Sequence, residues 1–222
     1  YAIGGVIGAT FGWREAFWIM GAPGLLLGAR CFLVRTDPAP NHSGTTPQST
    51  WKTLLKNRLY ISNTLSMTAV TFALGGLSVW MPTFLIEKAS AAGAGVGLER
   101  VNLVFGAMMV LAGIAAFIGA TLGMVVGRSR KDGLYTVAGW ATLLAGPAVG
   151  LAIWTGWDFQ WAALALAVLL VFVHSGPANA ALAESVPEPD RTAAFAWNIL
   201  IIHALGDAIS PALIGGVADR WG

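Results

Sequence analysis

Two ionisable residues four apart, His203 and Asp207, lie inside an otherwise apolar run at 191–217. At that spacing they share one face of a helix, about one turn from each other. Keeping an ionisable side chain inside an apolar span is costly, and such a residue marks function by default. The chemistry this pair offers is reversible protonation. A carboxylate and an imidazole facing a central cavity would couple proton movement to conformational change. The pair equally fits a structural role, hydrogen-bonded to a neighbouring helix near Ser210-Pro211, where a helix break is expected. Metal binding would need a third ligand, which the sequence does not place, so no metal is expected.

Further polar groups stand on neighbouring runs. Trp197 and Asn198 lie one to two turns before the pair, and His174 and Asn179 on the preceding run. They are candidates to line a cavity and bind a polar head group, or to act as polar glue between helices. His174-Ser175-Gly176-Pro177 also marks an expected helix break, a feature that transporters place near substrate. Thr71, Phe72, Gly75, Gly76 and Trp80 share another run. Gly75-Gly76 would let that helix bend as an outward gate or approach another helix closely. Glycines recur at four-residue spacing as Gly4/Gly8, Gly24/Gly28, Gly119/Gly123 and Gly146/Gly150. Close helix packing is their default explanation. Arg14-Glu15 reads as a local ion pair or cap. No G-x-S-x-G, H-E-x-x-H, Walker or dinucleotide motif occurs, so neither an enzyme nor a cofactor is expected. A membrane-embedded acyltransferase using His203 and Asp207 would need its catalytic groups at a membrane face, whereas this pair sits mid-span.

The elements that must position these groups follow from composition. Of 222 residues, 56% are hydrophobic and 11% charged, against about 25% charged in soluble domains. The mean hydropathy is +0.68. One soluble core cannot hide so much apolar surface, so the bilayer must be the solvent for much of it. The net charge of +2 carries no basic block that suggests nucleic acid, and the single Cys31 excludes an internal disulfide. A membrane-spanning helix needs roughly 20 mostly apolar residues. Residues 1–12 are too short and read as the tail of a helix whose start is missing. Complete spans are expected at 16–34, 60–86, 101–127, 133–153, 158–183 and 191–217. Between the first two of these, 35–58 is a Pro- and Ser/Thr-rich linker ending in TWKTLLKNRL, a candidate amphipathic helix on the membrane surface.

The basic residues test this layout. One set of loops and helix ends holds nine Lys and Arg, including Lys52, Lys56, Arg128, Arg130 and Lys131, and the other holds four: Arg14, Lys88, Arg100 and Arg220. That asymmetry places the linker in the cytoplasm. The Arg128-Arg130-Lys131 cluster sets topology and offers contact to anionic lipid. Ile3-Gly4-Gly5-Val6 is echoed by Ile214-Gly215-Gly216-Val217, six spans later, the period expected of two six-helix halves.

These stretches carry a family likeness. Gly12-Trp13-Arg14-Glu15-Ala16-Phe17 with Gly21-Ala22-Pro23-Gly24-Leu25 resembles the fifth-to-sixth helix junction of the major facilitator superfamily. Thr71-Phe72-Ala73-Leu74-Gly75-Gly76-Leu77 with Trp80-Met81-Pro82-Thr83-Phe84-Leu85 resembles the seventh helix of its spinster-like group, and Gly176-Pro177-Ala178-Asn179-Ala180-Ala181 the tenth. Most specific is Arg191-Thr192-Ala193-Ala194-Phe195-Ala196, running to His203-Ala204-Leu205-Gly206-Asp207-Ala208-Ile209-Ser210-Pro211, which resembles the eleventh. The resemblance implies an all-α, polytopic transmembrane bundle covering roughly helices five to eleven of twelve. Residues 1–34 would end the N-terminal half, 35–59 would be a cytoplasmic linker, and 60–222 would form the C-terminal half. It further implies a secondary transporter working by alternating access and coupled to protons, with membrane lipids around it and no nucleic-acid partner. The implied substrate is a lysophospholipid- or sphingolipid-like amphiphile, with small organic anions or drug-like compounds as the alternative. A monomer in the plasma or inner membrane is expected. The family's acidic coupling residue and its basic partner would lie outside this chain. A departure occurs in the gate motif Gly119, Gly123 and Arg128. Gly127 stands where the family carries an Asp, so the gate loses a charge lock unless Asp132 replaces it.

Overall fold

The computed structural model describes residues 2–33 and 51–221. Helices come in the order α1 (Ala2–Phe11), α2 (Trp13–Cys31), α3 (Trp51–Leu54), α4 (Arg58–Ala91), α5 (Leu98–Gly127), α6 (Gly133–Trp154) and α7 (Trp157–Glu184). A short 3-10 turn at Glu188–Asp190 leads into α8 (Arg191–Ile202), a π-turn (His203–Asp207) and α9 (Ser210–Trp221). Among the described residues, five stretches are long and apolar enough to cross a membrane: α4, α5, α6, α7 and the combined run Glu188–Arg220. No strand occurs among the described residues.

The layout departs from the sequence reading at its start. In place of the complete span expected at 16–34 stands the helix Trp13–Cys31, and it is not among the five. Arg14, Glu15 and Arg30 lower the hydropathy of so short a helix. Gly12, at φ 98°, separates α1 from α2 in a backbone conformation that favours glycine. Arg14 does not pair with Glu15. Its guanidinium lies 4.6 Å from the centre of the Trp13 ring. Of the linker expected at 35–59, residues 35–50 fall outside the described residues. Its amphipathic end is a single turn, α3, whose Leu54 is buried with Tyr60, Leu182, Val186 and Ala194 rather than laid on the membrane.

Helices α5, α6 and α7 pack as one group, and α4 runs alongside α7, α8, the π-turn and α9. Where α5 and α7 cross, Gly119 presses on the Val173 carbonyl, and Gly176 of α7 presses back on the Ala116 carbonyl. Glycine at both sites lets the backbones meet, the usual basis of helix association in lipid. The three other glycine pairs behave differently. Gly4, Gly8, Gly24, Gly28 and Gly146 have no neighbour that a side chain would meet, and Gly150 faces only the Trp154 ring of its own helix. The helix break expected at His174-Ser175-Gly176-Pro177 does not occur, since α7 runs unbroken through Pro177. At that point Gly176 packs closely on α5. At Gly75-Gly76 α4 likewise continues as one helix, over 34 residues. Meanwhile large apolar side chains such as Phe117 (75% exposed) and Trp154 (84%) point outward, which only a lipid solvent makes favourable.

Side chains tie the helix ends. Asn57 caps α4 by accepting from the Leu59 and Tyr60 amides, and its Nδ2 donates to the Ser185 carbonyl at 2.6 Å. At the opposite end, Lys88 Nζ donates to the Ile153 carbonyl at 2.7 Å, joining α4 to α6. Replacing Lys88 by Met is expected to cost about 1 kcal/mol, read as a lower thermal unfolding midpoint in detergent. Lys88→Arg, which keeps a donor, should recover most of it. Equal midpoints for Lys88→Met and wild type would show that the tie contributes nothing.

Candidate functional site

The α8–α9 run is interrupted where it meets α4. In the π-turn the Ala208 amide bonds the His203 carbonyl at 3.1 Å, one residue wider than an α-turn. The α-helix resumes at Ser210, with Pro211 in its first turn, where a missing N–H is harmless. The interruption lies at 203–209, immediately before Ser210-Pro211. Close contact with α4 frames it. Gly75 faces the Asp207 backbone and the Ser210 side chain, and Gly206 faces Thr71 and Phe72. Gly76 makes room for the Ile214 side chain. Gly75-Gly76 thus provides close approach.

Within this turn the imidazole Nδ1–H of His203 donates to Asp207 Oδ2 at 2.9 Å. Both side chains are open on one flank, 58% and 38% exposed. They border a cavity of about 420 Å³ shared by α4, α5, α7 and the π-turn. Thr71 and Ser78 add hydroxyl groups, and Leu74, Leu77, Met81, Phe105, Met109, Leu164, Val168 and Phe172 supply apolar wall. Thr71, His203 and Asp207 stand near the middle of their spans. Much of the apolar wall lies nearer the Lys88 end of α4.

The other residues singled out from sequence are placed elsewhere. His174 is 2% exposed, with its Nε2 3.1 Å from Ser66 Oγ between α7 and α4. Asn198 is buried and its Nδ2 donates to Met67 Sδ at 3.6 Å. Both act as contacts between helices. Asn179 donates to the Ser175 carbonyl of its own helix at 2.8 Å. Trp197 borders a separate apolar pocket with Trp51, Leu54, Leu55, Tyr60 and Ile201. Trp80 Nε1 donates to the Pro211 carbonyl at 2.9 Å, and its ring covers Gly215. Phe72 backs Gly206 without joining the cavity wall. Of the gate motif, Gly119 packs on α7 and Gly123 fits against Leu134 and Pro177, while Arg128 caps the end of α5. Asp132 accepts from Arg130 at 3.1 Å and from Thr136 Oγ1 at 3.2 Å. The Arg130 hydrogen bond holds its carboxyl below its ordinary value. Asp132 is thus engaged within its own turn.

Sequence reasoning missed Ser78 and the apolar walls of α5 and α7. For Ser78 a signal existed. It follows Thr71 by seven residues and so shares its helix face. The α5 and α7 positions needed knowledge of which helices meet.

Five apolar spans about a mid-depth pair of ionisable groups define a polytopic helical membrane protein. The family model described as Major Facilitator Superfamily matches residues 1–211, and the chain belongs to that superfamily. It is 30% identical to protein spinster homolog 3 of Danio rerio, over 99% of this chain and 48% of that protein. It is 26% identical to the probable sphingolipid transporter spinster homolog 2 of Arabidopsis thaliana, with the same two coverages. The chain thus spans about half the length of the curated relatives it matches. A crystal structure of a bacterial homolog of the human lysosomal transporter spinster, inward-facing and unoccupied, shares the fold. That match has a TM-score of 0.67 at 22% identity, over 94% of this chain and 47% of the other.

Proposed function

We propose that the protein is a secondary transporter working by alternating access. It moves a lysophospholipid- or sphingolipid-like amphiphile, and His203 and Asp207 couple that movement to a proton gradient. The observation that carries this reading is the composition of one cavity. Hydrogen-bonding and ionisable groups gather at mid-depth, and a long apolar wall leads away from them. A single-chain amphiphile needs both surfaces together, the head group meeting the polar groups and the tail the wall. The Arabidopsis relative, a probable sphingolipid transporter, points to the same substrate class.

Coupling requires that protonation favour one conformation over another, since an effector shifts a population only through differential affinity. Charged Asp207 holds the imidazole N–H. Neutral Asp207 offers it a weaker acceptor and frees the π-turn to shift against α4. In this reading the protein is a monomer in the plasma or inner membrane, with residues 35–59 on the cytoplasmic side.

The full-length protein in liposomes provides the test. Movement of a lysophospholipid, a sphingoid base and a small organic anion is measured with and without an imposed pH gradient. Gradient-driven lipid movement is the expected result. Movement of the anion alone would overturn the substrate class and keep the transporter. Movement of none would overturn both.

A further inference from the structure

A smaller cavity of about 20 Å³ lies behind the apolar wall of the first, between α4, α6 and α7. Leu74, Leu77, Met81, Leu164 and Val168 line both, so a single layer of side chains separates the two spaces. The rest of its lining is Val149 and Ala152 of α6 with Ala167 and Val171 of α7. Ala152 and Ala167 are 0% and 2% exposed, and their short side chains leave the space open. Every lining residue is apolar, which gives a water molecule too few partners to stay. Atoms around such a space lack contacts on one side, and a hydrocarbon terminus would restore them.

Length ties this space to the first cavity. There the polar groups stand at the level of Thr71, and the wall follows α4 through Leu74 and Leu77 to Met81. Thr71 and Met81 are ten residues apart, about 15 Å of helix. An extended alkyl chain advances about 1.25 Å per carbon, given a carbon–carbon bond near 1.5 Å, so about twelve carbons cover that distance. Beyond Met81 the way is closed, since Leu85 and Val101 are fully buried and pack with Met81 and Phe105 in one apolar cluster. Ser78, on the same wall, donates its hydroxyl proton to the Gly75 carbonyl at 2.9 Å and so asks nothing of a tail. Met81 carries an unbranched, adaptable side chain, the kind that repacks at small cost.

Resting on the reading that the protein moves a single-chain amphiphile, we propose that this smaller cavity receives the methyl end of the tail and sets the longest tail that gains affinity. Met81 turns aside, and the last one or two carbons lie against Ala152 and Ala167. Room for those carbons beyond about twelve puts the limit at about fourteen. Up to that limit each buried methylene is worth about fourfold in affinity. Further methylenes find no wall and gain nothing.

The full-length protein in detergent is equilibrated with lysophosphatidylcholines whose saturated tails run from about ten to about eighteen carbons, and retained lipid is counted by native mass spectrometry. In the wild type, retention should rise to about fourteen carbons and then level off, with a tail of about fourteen held about tenfold better than one of about twelve. Ala167→Val fills the small cavity and should bring that ratio to about one. Met81→Ala opens the layer between the cavities and should carry the rise on to about sixteen carbons. Val149→Ala enlarges the same space from α6 and should move the limit the same way, so the test stands even where Met81→Ala does not fold. A rise that continues through the longest tail in the wild type, or a limit that stays put in Ala167→Val and in the opening variants, would overturn this inference and leave the amphiphile as substrate. Retention of no tail length would overturn it together with that substrate class.

Discussion

Asp207→Asn is expected to cut accumulation against a gradient severely while leaving downhill exchange of substrate intact. The two side chains have the same shape, and the amide oxygen of the substituted side chain still accepts the His203 N–H, so the contact observed at 2.9 Å survives. What disappears is the ability to be charged in one state and neutral in another. Ordinary coupling free energies correspond to factors of about 5 to 150, so a loss of one to two orders of magnitude in gradient-driven uptake is expected. The measurement is uptake into proteoliposomes with an imposed pH difference, set against counterflow without one. His203→Gln, which keeps a hydrogen-bonding group but cannot titrate, should weaken the pH dependence less, because the carboxylate remains. Full gradient-driven uptake in Asp207→Asn would reduce the pair to structure. The unfolding midpoint should change little in either variant, since both residues are partly exposed.

The second large effect concerns folding. Gly119→Leu is expected to leave no folded monomer, and Gly176→Leu should do the same. At each site the added carbon would run into a carbonyl of the facing helix, Val173 for the first and Ala116 for the second. Overpacking against movable side chains costs about 1–3 kcal/mol. Here the obstacle is backbone, so a loss above about 4 kcal/mol is expected. Gly113→Leu serves as the control. It lies on the same helix as Gly119, but nothing stands within 4 Å of the position its side chain would take. Size-exclusion profiles and thermal unfolding in detergent separate the outcomes. Equal behaviour of Gly113→Leu and Gly119→Leu would show that α5 and α7 do not cross as described.

That contrast also shows how much of the fold is legible in sequence. Hydropathy locates α4 to α7 to within a few residues, because each is a long apolar run between turn residues. The run at 16–34 gives the helix Trp13–Cys31, whose end charges keep it below the hydropathy of the others. Glycine spacing fails as a guide to packing for a physical reason. A four-residue repeat puts two glycines on one face without saying whether that face meets a helix or lipid. Gly119/Gly123 meets α6 and α7, whereas Gly24/Gly28 meets nothing within 4 Å. Similarly, His203 and Asp207 are legible as a pair from spacing alone, but only the fold shows that Thr71 faces them. His174 and Asn198 look alike in sequence, as polar residues in apolar spans. Their burial between helices depends on rotations that one chain's periodicity does not encode. A break is legible near Ser210-Pro211, but no residue type signals a single wider turn at 203–207.

Among the contacts of α4, four polar side chains reach carbonyls far along the chain. Asn57 bonds Ser185, Tyr60 bonds Ala194, Asn63 bonds Ala178 and Trp80 bonds Pro211, at separations of 128, 134, 115 and 131 residues. Chains are synthesised at about 5–20 residues per second, so α4 emerges on the order of ten seconds before these acceptors exist. During that interval three further spans are made and inserted, and Asn63 has no α7 carbonyl to meet. The polar face that later seals the bundle is therefore, during biogenesis, a face that the insertion machinery or lipid head groups must accommodate. Assembly of this chain closes from its last third back onto α4.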